Sequence, residues 1–203
     1  MPLTNAIEIA KTKFLNMFTL EGTHDGVPYK WDMVTRHDRP KAETGTILVP
    51  DAVHIVCRVI KRGAPFLVVT SEYRPVLQNF QDGFAAGLID EDSGDVNDDI
   101  LQSAERELFE ETGLQVTEVH EISKVQTNSA GMTDESFVVV YVDAMGDLSR
   151  DHLEEGEDIQ TKLMSQNDVK KYLKQPQVRT IDGKAELVMH LFAKTGCIHP
   201  NQL

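Results

Sequence analysis

The spacing of apolar positions changes several times along the chain. Residues 14–36 alternate loosely between apolar and polar, with turn signals at Gly22 and at Asp25-Gly26. This predicts a small β-rich element, preceded by a short helix or coil. Residues 46–60, TILVPDAVHIVCRVI, are apolar and β-branched and predict a strand. Arg62-Gly63-Ala64-Pro65 predicts a turn, and FLVVTSEYR a second strand. The segment GFAAGLI carries two glycines suited to close backbone approach. From Asn97 to Thr112 the period becomes helical, with Leu101, Ala104 and Leu108 on one side. Asn97 or Asp98 is the expected N-cap, and Gly113 the residue that closes the helix. Strands are expected at about 114–126, 136–145 and 158–164. Ser165 and Asp168 have capping-box spacing before VKKYLKQ, and Pro176 stops that helix. A last helix covers 184–195, closed by Gly196. Strands and helices mix without a regular βαβ rhythm, which predicts an α+β or three-layer sandwich rather than a doubly wound fold.

At 203 residues the chain fits one good-sized domain, or one domain with a small appendage. Its net charge of -13 argues against non-specific nucleic-acid binding and against an anionic membrane surface. There is no apolar run long enough to span a bilayer. The first residues, MPLTNAIEIAKTKFLNMF, do not read as a signal peptide. Two cysteines, Cys57 and Cys197, allow neither a disulfide framework nor a cysteine zinc site by themselves. A reducing, cytoplasmic location is the expectation, with Cys57 buried in its apolar run.

The charge is unevenly placed. Between Arg74 and Lys124 the only Lys or Arg is Arg106, within a run of carboxylates from Asp82 to Glu121. Glu107, Glu110 and Glu111 stand at i, i+3 and i+4. At about 100° per residue they share one stripe beside the apolar face. Like charges so placed cost roughly 0.2–0.5 kcal/mol per pair in an isolated helix. A divalent cation would reverse the sign of that cost, and carboxylate oxygens suit Mg²⁺, Mn²⁺ or Ca²⁺. Two readings stand at this point, a metal site and a plain solvated face.

The string from Arg106 to Leu114, RELFEETGL, has the form R-E-U-x-E-E-x-G-U, with U apolar. It resembles the second half of the Nudix signature, G-x5-E-x7-R-E-U-x-E-E-x-G-U. Gly87 in AAGLID fits the signature's glycine, and AGLID resembles the ADP-ribose pyrophosphatase branch. The first half is altered. Counting back from Arg106, the first signature Glu falls on Asp98; counting forward from Gly87, it falls on Ser93. The loop therefore carries extra residues, and an Asp replaces that Glu.

Further segments extend the likeness. WDMVTR resembles the branch's N-terminal segment, which implies that Trp31 stacks on adenine and Arg36 contacts phosphate, often across a swapped dimer. SEYRPV resembles the segment whose arginine, here Arg74, meets the pyrophosphate. SAGMTDES resembles a loop with Glu135 at its acidic position. EEGEDIQTKLMS resembles the mobile loop carrying the catalytic base, with Glu155 the best match and Glu157 second. The implied metal ligands are Glu107, Glu111 and the Ala86 carbonyl, with Glu110 assisting.

The resemblance thus implies an α+β Nudix α/β/α sandwich with a mixed sheet over 45–203. Residues 1–44 would form a β-rich element for dimerisation and substrate contact. The implied reaction is Mg²⁺- or Mn²⁺-dependent hydrolysis of a nucleoside diphosphate sugar, ADP-ribose to AMP and ribose 5-phosphate, in a homodimer with possible N-terminal domain exchange. Hydrolysis of GDP-mannose or another sugar nucleotide is the alternative within the class, and a non-catalytic ADP-ribose-binding module the alternative outside it. The acidic segment from Asp90 to Asp99 reads as an exposed insertion. The histidines show no ligand spacing, and Met132 and Met164 read as packing residues.

Overall fold

The computed structural model describes residues 3–90, 93–199 and 201. Glu91 and Asp92 of the acidic insertion lie outside them. The chain divides into two compact units, one of residues 1–52 with 124–138, the other of 53–123 with 139–203.

The first unit holds an antiparallel sheet of three strands, β1 (Leu3–Lys11), β2 (Asn16–His24) and β3 (Val27–Thr35), in that order. Asp25 and Gly26 have φ of 50° and 79°, the paired positive values of the turn that matches strand twist in a two-residue hairpin. Gly22, expected at a turn, lies inside β2 opposite Leu3 and Tyr29. The helix or coil expected before residue 14 is strand β1. Ala6 is its one buried residue among those with assigned burial, and two register shifts interrupt its pairing. Its alternate apolar residues Ile7 and Ile9 stay exposed, on the face opposite Ala6. Ala6, Phe18 and Met33 form the core under this sheet. A single helical turn follows, α1 (Lys41–Thr44).

Residues 46–51, expected as strand, form turns instead. Ile47, Leu48 and Val49 are exposed there, and Val49 N–H donates to Thr46 O. Pro50 supplies no ladder donor, and backbone pairing resumes at Asp51, whose N–H donates to Ser136 O.

The remaining elements, in chain order, are β4 (Ala52–Lys61), β5 (Ala64–Arg74), β6 (Asn79–Gly83), β7 (Ala85–Leu88), α2 (Val96–Thr112), β8 (Gln115–Ile122), β9 (Gln126–Thr127), β10 (Ser136–Met145), β11 (Ile159–Ser165), α3 (Gln166–Tyr172), β12 (Thr180–Ile181) and α4 (Gly183–Thr195). The main sheet runs β12-β6-β5-β4-β10-β8, with β11 on β5, β7 on β4 and β9 on β10. β12 joins parallel to β6, while β5 meets β4, β6 and β11 antiparallel. The sheet is mixed and the fold is α+β.

β5 is the organising strand. β11 runs along one edge of it, and β4 and then β6 along the other. Successive side chains point to opposite faces of a strand. Thr161 of β11 donates to Glu111 O, so its face, shared by Thr70 and Glu72, turns to α2. Ser71 and Asp82 turn the other way. Asp82 accepts from Tyr172 at the end of α3, and Ser71 from Arg179. Helices therefore cover both faces. Ser165 caps α3 with the reciprocal capping box its spacing predicts. Cys57 is a fully buried free thiol, held protonated by burial. Among the described residues no helix is long and apolar enough to cross a membrane.

Candidate active site

The site is built on α2. Its N-cap is Asp95, two residues before Asn97 and three before Asp98, and its carboxylate accepts from the N–H groups of Asn97 and Asp98. Capping by Asp95 frees Asp98 for the first turn, where a negative charge suits the helix dipole. Ile100, Ala104 and Leu108 are buried, and removing each such aliphatic side chain from water stabilises by about 1.5–3 kcal/mol for the larger ones. Gly113 ends the helix with φ 77°. A Cβ there would meet Ser149 N at 2.8 Å, so only glycine fits. Ser149 N–H donates in turn to Thr112 O at 3.0 Å.

This packing sets the exposure of the three glutamates. Glu111, on the buried edge, is 4% exposed, and its Oε1 accepts the Ala86 N–H at 3.2 Å. The side chain of Glu107 is 13% exposed and that of Glu110 is 28% exposed. Arg106 bridges these two, with Nη1 at 2.7 Å from Glu107 and 3.2 Å from Glu110, and Nη2 donating to Leu88 O. Gly87 passes so close that a Cβ on it would fall 2.0 Å from Glu107 Cδ. Gly87, Arg106, Glu107 and Glu110 thus form one contact set, with Glu111 bonded to Ala86 beside Gly87.

A fourth carboxylate joins them. Glu72 projects from β5 on the α2 side, with Oε1 2.7 Å from Arg74 Nη1. Burial pushes Glu111 well above the usual carboxylate range; the Ala86 N–H opposes this, and the charges of Glu72, Glu107 and Glu157 add to it. Burial likewise raises Glu107 against the pull of Arg106, with Glu110 and Glu157 adding. Glu72 is raised by burial, opposed by Arg74 and reinforced by Glu157.

Glu157 belongs to a loop pinned at both ends. His152 stacks on Phe109 of α2 with ring centroids 4.4 Å apart. Asp158 O accepts the Tyr73 N–H at 3.0 Å, and its side chain accepts from Arg150. Glu157 is solvent-exposed and its Oε2 accepts the Glu154 N–H, while its charge reaches Glu72, Glu107 and Glu111. Glu155 is exposed, with no side-chain hydrogen bond among the described residues. The structure therefore brings together Ala86, Glu107, Glu110 and Glu111, and sets Arg74 against Glu72; Glu157 adds its charge from an exposed loop, on which Glu155 is also exposed. Sequence reading missed Glu72, although it stands in the SEYRPV segment already singled out for Arg74.

The donor set suits a hard divalent cation. It is all oxygen, and its carboxylates repel one another in a half-buried setting, a repulsion that such an ion relieves. Glu107, Glu111 and the Ala86 backbone are the residues that would hold it.

The first unit gathers a second set of expected residues. Trp31 on β3 is 53% exposed, and its indole N–H donates to Gly131 O at 3.0 Å. Arg36 pairs with Glu135, which also accepts from Asn128. Burial pushes Glu135 up, but those two hydrogen bonds and the Arg36 charge outweigh it and leave the carboxyl below its usual range. The 129–135 loop is tied to β3 by the Val34 N–H, donated to Met132 O at 2.9 Å. Lys41 was not anticipated. It is buried, with Nζ donating to Val49 O, Asp51 and Ser136.

Two other features lie elsewhere in the second unit. Glu118, His120 and Asp143 offer ligand atoms within 4.8 Å of one another, but Arg58 already holds both oxygens of Asp143 at 2.7 Å. A cavity of about 420 Å³, lined by Asp82, Lys162, Tyr172 and Arg179 among others, opens on the α3 side. The carboxylates of α2 do not line it.

Residues 49–183 match the NUDIX domain, and the chain belongs to that family. It is 31% identical over 156 residues to "Putative nudix hydrolase 2" of Caenorhabditis elegans, covering 74% of this chain and 66% of that one. The chain thus spans just under two thirds of that relative's length. Among solved structures it is similar to an "ADP compounds hydrolase", with a TM-score of 0.68 over 95% of this chain and 92% of the other. At 15% identity this likeness speaks for the fold alone.

Proposed function

We propose that the protein hydrolyses the pyrophosphate bond of a nucleoside diphosphate sugar, with ADP-ribose, cut to AMP and ribose 5-phosphate, as the leading substrate. The observation that carries this reading is the buried Glu111, bonded to the Ala86 N–H and surrounded by Glu72, Glu107 and Glu157. Mg²⁺ or Mn²⁺ bound there would polarise the phosphoryl oxygens and activate a water. The residues of the chain do the rest. Glu107 and Glu111, with the Ala86 carbonyl, would hold the ion, and Glu110 keeps Arg106 against Glu107. Arg74 meets the diphosphate. A carboxylate of the 154–157 loop takes the proton of the attacking water as its oxygen bonds to phosphorus and the bridging P–O bond breaks. What supports Glu157 in that role is the reach of its charge to the α2 carboxylates; what supports Glu155 is the family pattern.

Trp31, Arg36 and Glu135 are proposed for the nucleotide end. The reading includes a homodimer, in which the exposed Ile7, Ile9 and Val27 of the N-terminal sheet find cover and the N-terminal elements can be exchanged between copies. It also includes a cytoplasmic location. The deciding experiment offers ADP-ribose, GDP-mannose, UDP-glucose, NADH, diadenosine polyphosphates and dNTPs with Mg²⁺ or Mn²⁺, and separates the products. ADP-ribose cleaved fastest supports the proposal. GDP-mannose first moves the substrate, and tight ADP-ribose binding without turnover makes the protein a binding module.

A further inference from the structure

Glu72 and Arg74 stand two residues apart on β5, so both side chains leave the sheet on the α2 face. The strand beneath them is held on both edges. Glu72 is opposite buried Ile159 of β11 on one edge and Gln81 of β6 on the other. The Tyr73 N–H, between the two, donates to Asp158 O, at the root of the loop that carries Glu157. Glu72 is therefore a fixed, largely covered group, with its side chain 26% exposed. Arg74 closes the strand with its side chain 47% exposed. An arginine so placed has rotamer entropy to lose on binding an anion. The ion pair removes part of that cost in advance. It engages Nη1 of Arg74 at 2.7 Å, and the other donors of the fork remain for a ligand.

We infer that Glu72 is a positioning residue for substrate binding, one that holds the Arg74 guanidinium beside the α2 carboxylates with its free edge turned to the arriving diphosphate. The inference rests on the reading of this site as a diphosphate site. It makes Glu72 distinct from the ion-holding carboxylates Glu107 and Glu111, because its partner is a cation of the chain itself.

The test compares E72Q, E72D, R74A and the E72Q/R74A double variant. KM and kcat are measured on the best substrate of the panel, Mn²⁺ binding is titrated without substrate, and ADP-ribose affinity is measured by calorimetry. The expected result for E72Q is a KM raised about tenfold with kcat changed by less than about threefold. Mn²⁺ affinity should stay as in the wild type. E72D should recover part of the loss, and the double variant should be no worse than R74A, as for two groups acting through one contact. A large fall in Mn²⁺ affinity for E72Q would make Glu72 an ion ligand and overturn the inference. Additive losses in the double variant, or a wild-type KM in E72Q, would overturn it too. If the wild type cleaves nothing, the hydrolase reading falls, while the calorimetric affinities of the same four variants still decide the role of Glu72.

Discussion

The carboxylate of Glu107 occupies the space in which a side chain on residue 87 would begin: a Cβ on Gly87 would lie 2.0 Å from Glu107 Cδ. Glycine is required there by the close approach of the helix and not by backbone strain. In Gly87→Ala the strand and helix can stay, because what must move is the end of a flexible side chain. The variant should keep its far-ultraviolet circular dichroism and most of its melting temperature, yet bind Mn²⁺ about tenfold or more weakly, a loss of about 1.4 kcal/mol. Wild-type Mn²⁺ binding by Gly87→Ala would mean that the observed position of Glu107 is irrelevant to the ion.

Glu111 links ionisation to stability. Burial, with Glu72, Glu107 and Glu157 adding, raises its pKa in the folded chain above the ordinary carboxylate value. Between those two values the folded state keeps a proton that the unfolded state releases, so this group's contribution to stability falls as pH rises through the window. Glu111→Gln removes that penalty. Without divalent ions at about pH 8 the variant should melt above the wild type, by about 2–4 °C for each kcal/mol relieved. Mg²⁺ should stabilise the wild type and leave the variant unmoved. Turnover should fall at least about a hundredfold. Equal melting points for the two chains over the whole pH range would remove the electrostatic case for an ion at Glu111.

Local signals made α2 readable before any coordinates. Its apolar period, the glutamates at i, i+3 and i+4, and Gly113 all act within one helix, and so does the capping box at Ser165. Glu72 was not readable in this way. Nothing in SEYRPV marks its acid as special; β5 must pair with β11 and pack under α2 before Glu72 meets Glu111 and Glu157. The same holds for Lys41, whose ammonium is enclosed by Asp51 and by Ser136, the latter 95 residues away. The opposite error came at residues 46–51, where β-branched composition suggested a strand and the chain forms turns. Propensity marks what a segment tolerates, and partners decide what it becomes.

Trp31 spends its indole N–H on Gly131 O and keeps 53% of its surface exposed. Stacking of a base on an aromatic ring contributes about 1–3 kcal/mol by alanine substitution. Trp31→Ala should raise KM for ADP-ribose about tenfold and leave kcat nearly unchanged, whereas Trp31→Phe should keep most of the affinity. Steady-state kinetics on the three proteins checks this. An unchanged KM in Trp31→Ala would exclude the ring from nucleotide recognition in either copy of a dimer.

The loop from Leu153 to Asp158 presents two candidate bases, and they differ in what surrounds them. The charge of Glu157 adds to the raised pKa of Glu72, Glu107 and Glu111, and its carboxylate accepts the Glu154 N–H. With an ion at Glu107 and Glu111, as proposed, a base close to them needs the smaller loop movement to reach a water activated there. Glu157→Gln should therefore lower kcat about 10²–10⁴-fold, the usual cost of losing a general base. Glu155→Gln should cost under about tenfold. The pH–rate profile separates the two further, since the acid limb of kcat should disappear only in the variant lacking the base. If Glu155→Gln is the slower enzyme and the one that loses the acid limb, closure of the loop must turn Glu155 inward. The arrangement described above would then be the open state of the site.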